Sequence, residues 1–124
     1  MLATAPHPTP DWHATSPWNC NDVPGSDYTP RELVCVIRRV FGPGWRVALK
    51  VARCESTLDE RDVMAGGDGA SGLFQFLPST WNTTPFYSRP ILHPVWNAKA
   101  ARWLVAKDHG WAEWTCAAIV GAPR

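Results

Sequence analysis

Four cysteines restrict the folds open to this 124-residue chain more than any other feature: Cys20, Cys35, Cys54 and Cys116. No two of them have the Cys-x-x-Cys spacing of tetrahedral zinc sites and thioredoxin-like motifs, so we expect neither kind of site. An even number instead favours two disulfides and an oxidising compartment, and buried free thiols are the alternative. The sequence alone permits three pairings of these cysteines.

Length and charge define the class of protein. A chain of 124 residues can form one domain with its own core, and it is too short for a barrel of eight βα units. Twelve basic residues are balanced by eleven acidic ones, which argues against a nucleic-acid partner. No apolar stretch approaches the ~18 residues that a membrane span needs. We expect a monomer without a membrane or nucleic-acid partner, and without a cofactor or metal.

The N-terminal region is rich in proline. Five of the twelve prolines lie within residues 1–28, which we interpret as an extended arm preceding a folded domain at residues 29–121. The first residues lack the charged start and apolar core of a signal peptide. We therefore expect that a signal has been removed, or that the protein leaves its cell by lysis or in a virus particle.

The first helix of the domain has a clear start. Thr29 is suited to cap it, Pro30 suits its first position, and Glu32 completes a capping box. Cys35 lies off the apolar face of this helix, so we expect it to bond a residue outside the core. Cys20 in the preceding arm is the nearest candidate.

A second helix is expected from Trp45 to Ser56, and it brings a carboxyl group onto an apolar stripe. Ala48, Val51 and Glu55 lie along this stripe at helical spacing. Burial and the negative end of the helix dipole both raise the pKa of a carboxyl in this position. Such an acid can stay protonated near neutral pH, as a general acid requires. An exposed glutamate at a fraying helix end, or one paired with an arginine, is the alternative.

Residues 57–72 are rich in Asp and Gly, and short apolar runs flank the glycines. This pattern predicts a small irregular β-hairpin, so the fold class is α+β but mainly α. The acidic residues do not match the spacing of a calcium-binding EF-hand loop. The carboxylates of this segment are Asp59, Glu60, Asp62 and Asp68.

Two more helices and a closing segment follow. Pro78 begins a short helix that contains Trp81, and a long helix is expected from Pro94 to His109. Asn97 lies on an inner row of the long helix, where a polar side chain needs a hydrogen-bond partner. The eight tryptophans of the chain suggest an aromatic surface that stacks on a ligand, in addition to a core.

Three blocks occur in an order that resembles a known family. They are Arg53-Cys54-Glu55-Ser56, then Ala70-Ser71-Gly72-Leu73-Phe74-Gln75-Phe76, then Pro78-Ser79-Thr80-Trp81. Together with Asn97-Ala98 they resemble the soluble lytic transglycosylases, which share a lysozyme-like fold with goose-type lysozymes. The Cys54-Glu55 pair and the ending Gly110-Trp111-x-x-Trp114-x-Cys116 look like the actinobacterial branch that includes the resuscitation-promoting factors, and a phage lysin is also compatible. The resemblance covers about residues 45–117, and the Ala-Tyr-Asn-Ala segment frequent in such enzymes is missing.

The resemblance implies a function and a disulfide pairing. Glu55 becomes the single catalytic acid that cleaves the β-1,4 bond between N-acetylmuramic acid and N-acetylglucosamine in peptidoglycan glycan strands, at the cell wall or outside the cell. A lytic transglycosylase uses a group of the substrate to capture the sugar carbon, whereas a lysozyme uses water, positioned here by Asp62 or Asp68. In the related branch the cysteine before the catalytic Glu bonds the one after the tryptophans. This implies Cys54–Cys116 and leaves Cys20–Cys35.

Other residues receive roles in the same interpretation. The expected substrate contacts are Ser71, Gln75, Trp81 and Tyr87, and for Trp81 a place in the core is the alternative. Ser56 is expected to orient Glu55 or to cap the helix end, and Asn97 to tie its helix to the helix of Glu55. The alternative functions are a non-catalytic module that binds peptidoglycan or chitin, and a structural part of a phage virion.

Overall fold

The computed structural model of this chain describes residue 20 and residues 28–63 and 69–124. These residues form a mainly helical fold, as the sequence predicts. Its helices are α1 (Pro30–Phe41), α2 (Trp45–Ser56), α3 (Pro78–Trp81), α4 (Pro94–Asp108) and α5 (Thr115–Val120), with a 3-10 turn at Gly42–Gly44 between α1 and α2. Apart from Cys20 and Tyr28, the predicted arm lies outside the described residues.

Helix α1 begins at the predicted capping box. The main-chain N–H of Glu32 donates to Thr29 Oγ1 at 3.2 Å, and the N–H of Thr29 donates to Glu32 Oε1 at 2.8 Å. These reciprocal bonds satisfy donors that the first turn of a helix leaves unpaired. The apolar face of α1, which includes Leu33 and Ile37, is buried in the core.

Helix α1 packs against both α2 and α4, and α2 packs in turn against α5. Small residues allow this close approach, since Ala48 and Ala52 of α2 and Ala100 and Ala101 of α4 are fully buried. The packing leaves the C-terminal end of α2 between α5 and the segment 69–77. None of the described helices is long and apolar enough to cross a lipid bilayer.

The predicted β-hairpin is not confirmed: residues 64–68 lie outside the described part, and the rest of the segment forms no continuous strand. Isolated antiparallel bridges join Ser71 to Val63 and to Phe76. Ser71 and Phe76 exchange both main-chain hydrogen bonds at 2.9 Å, which closes a tight turn at 71–76. The side chains of Leu73 and Phe74 fill the core from this turn. The apolar run at 73–76, which resembles a strand in sequence, therefore forms a turn whose side chains fill the core.

The packed domain extends slightly beyond the expected limits of residues 29–121. Tyr28 and Ala122 are both buried, and the N–H of Trp111 donates to the carbonyl of Pro123 at 2.8 Å.

Trp96 and Trp103 on α4 are only partly buried at the edge of the core, although helical spacing places them on the same row as buried alanines. Lys99 and Lys107 lie over their rings, which keeps these faces at the surface.

Both cysteine pairs are bonded in the structure. Cys20 bonds Cys35, and Cys54 bonds Cys116, with Cα–Cα distances of 5.7 and 5.9 Å. The first bond ties the described part of the arm to the polar side of α1, and the second ties α2 to α5. These are the pairs favoured by the helix phase of Cys35 and implied by the family resemblance. Two disulfides in so small a domain suggest an oxidising, extracellular-type environment.

Candidate active site

A cleft of about 190 Å³ opens where α2 ends, bounded by segment 70–77, by α3 and α4, and by the turn that precedes α5. Leu104 and Phe76 form an apolar part of its wall. The side chains with hydrogen-bonding groups that line it are Glu55, Gln75, Thr80, Glu113, Trp114 and Thr115. The cleft therefore combines a partly apolar wall with two carboxyl groups and an amide, which is the usual composition of a small polar-ligand site.

Glu55 lies half-buried at this end of α2. Burial raises the pKa of its carboxyl above the ordinary value, because removal from water penalises the charged form. The main-chain N–H of Cys116 donates to Oε2 at 3.3 Å and offsets part of this effect, since it favours the charged form. The position and the direction of the pKa shift agree with the expectation from helix phase, so Glu55 is equipped to hold a proton and release it.

Gln75 contributes a fixed amide to the same cleft. Its backbone adopts a left-handed conformation, with φ of 52°. Nε2 donates to the carbonyl oxygens of Asp62 at 2.8 Å and Gly72 at 3.0 Å. Both N–H groups are therefore used, whereas the buried Oε1 has no hydrogen-bond partner among the described residues. A buried acceptor without a partner is costly, and a donor on a ligand would relieve that cost.

Three hydrogen bonds hold the turn 71–76 against the helices. Ser56 Oγ donates to the carbonyl of Leu73 at 2.8 Å, the N–H of Phe74 donates to Asn97 Oδ1 at 2.7 Å, and Trp114 Nε1 donates to the carbonyl of Phe74 at 2.9 Å. The turn that carries Gln75 is thus fixed by α2, by α4 and by the segment before α5.

The hydrogen bonds of Ser56 and Asn97 match the expected roles only in part. Ser56 Oγ donates to the carbonyls of Ala52 and Leu73 and accepts from the N–H of Asp59, which fits the expected role at the helix end, and no hydrogen bond within the described structure links its hydroxyl to Glu55. Asn97 does not bond the helix of Glu55. Its Nδ2 donates to the carbonyls of Ile91 at 2.8 Å and Ser71 at 3.3 Å, so it ties α4 to two loops. Both residues position the turn rather than the acid.

Gly72 is required by this arrangement. Its φ of 85° lies in the left-handed region, and a Cβ atom there would overlap the Asn97 amide and lie 2.8 Å from the carbonyl oxygen of Ile91. Any side chain at this position would displace Asn97, whose amide holds the turn. The Gly-Leu-x-Gln block is therefore a packing requirement as well as a sequence signature.

Several of the expected substrate contacts lie elsewhere. Trp81 is only 4% exposed and packs edge-on against Phe76, so it has no exposed face on which a sugar could stack, and the core alternative applies. Tyr87 is 64% exposed but does not line the cleft. Ser71 is buried, with its hydroxyl donating to the carbonyl of Gly69 at 2.8 Å. Of the four residues, only Gln75 lines the cleft.

The acidic segment does not supply the cleft with a carboxylate from its described residues. Asp62 is half-buried and contributes its carbonyl oxygen to Gln75, but its side chain does not line the cleft. Glu60 is buried and accepts a hydrogen bond from the N–H of Tyr28 at 3.0 Å. Asp59 accepts from the N–H of Arg61. Asp68 lies outside the described residues, and no group of three or more potential metal ligands occurs in the part that is described.

The residue that sequence reasoning missed is Glu113, the second carboxyl group of the cleft. It lies directly before Trp114, in the closing Trp-x-x-Trp-x-Cys segment, which we interpreted only through its tryptophans and cysteine. Its position was the available signal. Glu113 lies between two buried tryptophans and three residues before Cys116, which bonds the residue next to Glu55.

No protein-family model, curated protein or solved structure matches this chain, so the site stands on its own geometry.

Proposed function

We propose that this protein cleaves the glycan strands of bacterial peptidoglycan at the β-1,4 bond between N-acetylmuramic acid and N-acetylglucosamine. Glu55 is the acid that protonates the glycosidic oxygen while the bond to the sugar carbon breaks. The observation that carries this proposal is a half-buried carboxyl with a raised pKa in a cleft that also presents the Gln75 amide. A lysozyme-like arrangement of the helices around this cleft is part of the same proposal.

The chemistry of the bond explains why such an acid is needed. A sugar alkoxide is a poor leaving group, so a proton must reach the bridging oxygen as the bond breaks. An ordinary exposed carboxyl is charged at neutral pH and has no proton to give. Burial of Glu55 at the end of α2 raises its pKa and so supports this role.

Gln75 supports a saccharide as the ligand. Its Oε1 accepts no hydrogen bond from the described residues, and its Nε2 is held by two carbonyls. An amide fixed in this way selects a donor from the ligand. The N–H of an N-acetyl group or a sugar hydroxyl supplies such a donor, and both are present on each sugar of a peptidoglycan strand.

The two disulfides are compatible with action outside the cell. They suggest an oxidising environment, where the bacterial wall is also found. Delivery by secretion or with a phage particle, a monomeric state and the absence of a nucleic-acid partner belong to this proposal. The resemblance of the three sequence blocks to lytic transglycosylases supports it independently of the cleft.

Digestion of purified peptidoglycan tests this function. The protein should release soluble disaccharide-peptides, identified by mass spectrometry, and the Glu55→Gln variant should bind the same sacculi without releasing them. Binding of the wild-type protein to the sacculi without release of any fragment would instead identify a binding module or a structural component. Absence of both binding and release would reject peptidoglycan as the ligand.

A further inference from the structure

Glu113 lines the same cleft as Glu55 and has no role in the protonation step. Its side chain is exposed, yet the residues that follow it are anchored. The next residue, Trp114, is buried and donates its indole N–H to the carbonyl of Phe74 at 2.9 Å. Cys116 follows and is bonded to Cys54. The backbone that carries this exposed carboxylate is therefore anchored beside the cleft.

The same segment contacts the acid directly. The N–H of Cys116 lies 3.3 Å from Glu55 Oε2, and Glu113 precedes Cys116 by three residues. Three residues span at most about 10 Å of chain. Both residues also line one cleft, so a single bound glycan strand can contact the two carboxyl groups.

Glu55 and Glu113 differ in exposure to solvent, as a catalytic acid and a catalytic base do. Burial favours the protonated form of Glu55, whereas the exposed Glu113 stays in contact with solvent and can hold a water molecule. Asp59, Glu60 and Asp62 do not line the cleft. Gln75 lines the same cleft, and its buried Oε1 has no hydrogen-bond partner among the described residues.

We propose that Glu113 is the catalytic base that activates water, so that the glycan strand is hydrolysed rather than converted to an anhydro sugar. This inference rests on the proposed function. The Glu55 proton moves to the glycosidic oxygen as the bond from that oxygen to the anomeric carbon breaks. The oxygen of water forms a new bond to that carbon, and the water proton moves to Glu113. Exchange with solvent then returns Glu55 to the acid form and Glu113 to the carboxylate.

The test is digestion of purified peptidoglycan in water labelled with heavy oxygen, comparing the wild type with Glu113→Gln. The wild type should give reducing ends that carry one heavy oxygen. Glu113→Gln should lower kcat by about a hundredfold or more with KM little changed, because it removes a base and leaves the shape of the cleft. Asp59→Asn, which removes one negative charge outside the cleft, is the matched control and should keep the wild-type rate.

A second variant separates catalysis from structure. In Glu113→Ala, sodium azide should restore turnover and give a glycosyl azide, because azide attacks the sugar carbon without needing a base. Anhydro ends from the wild type, or a wild-type rate for Glu113→Gln, would overturn the role of Glu113 while leaving Glu55 as the acid. No cleavage by the wild type at all would instead overturn the proposed function.

Discussion

The main-chain N–H of Cys116 donates to Oε2 of Glu55 at 3.3 Å, and the disulfide of Cys116 joins the residue directly before Glu55. The bond that closes the domain and the contact that holds the acid therefore come from one residue. Helix α5 is only six residues long, too short to be stable without such an anchor. Stability of the domain and position of the acid should consequently depend on the same bond.

Replacing Cys54 and Cys116 together with serine should lower both stability and activity. The loop closed by this disulfide spans 62 residues, and its loss should cost roughly 4 kcal/mol by a loop-entropy estimate. Replacing Cys20 and Cys35, 15 residues apart, should cost roughly 3 kcal/mol and leave catalysis intact. Urea unfolding and peptidoglycan release measure the two effects. Equal activity loss in both double variants would contradict the specific link to Glu55.

The raised pKa of Glu55 gives a pH-dependent stability with a definite sign. The folded protein holds this proton more tightly than the unfolded chain does. The resulting stabilisation is fully present below the ordinary value of 4.5 and is lost as the pH rises through the raised pKa. Glu55→Gln should therefore be more stable than the wild type at neutral pH and gain nothing in acid. Denaturant unfolding between acid and neutral pH measures the difference in the free energy of unfolding between the two proteins. An equal gain in stability for Glu55→Gln at acid and at neutral pH would contradict burial of the charged carboxyl as its cause.

Gly72→Ala should destabilise the domain by more than about 2 kcal/mol, through strain at a positive φ and displacement of the Asn97 side chain. Gly121→Ala is the matched control, because Gly121 also has a positive φ, of 74°, but a Cβ there meets nothing within 4 Å. The control should cost about 1 kcal/mol. Similar losses of melting temperature in both variants would show that backbone strain, rather than contact with Asn97, sets the requirement for glycine.

Local signals predicted the helices well. The capping box at Thr29 and the proline starts of α3 and α4 are properties of a few neighbouring residues, and each lies where the sequence indicates. The end of α4 lies one residue before the expected one: the helix ends at Asp108, and His109 adopts the left-handed conformation of the cap. Gly110 follows the cap, where a Cβ atom would overlap the backbone of Arg124.

The contents of the cleft were harder to predict, because they depend on contacts between distant residues. Glu55 and Gln75 were found from helix phase and from the family-like blocks. Asn97 was recognised as needing a partner, but its partners lie in two loops whose paths the sequence does not give. Trp81 and Tyr87 both lie outside the cleft, one buried and the other exposed, because the environment of an aromatic ring depends on tertiary packing. The place of Glu113 in the cleft depends on the packing of α5 against α2, which no local pattern around Glu113 indicates.

The most direct test of the central claim is the rate at which Glu55→Gln cleaves a purified glycan strand. The variant keeps the size and polarity of the side chain but has no acidic proton to donate. We expect kcat to fall by about a hundredfold to ten-thousandfold, while the variant remains folded and still binds the strand. Cleavage at a rate close to that of the wild type would contradict the assignment of Glu55 as the acid.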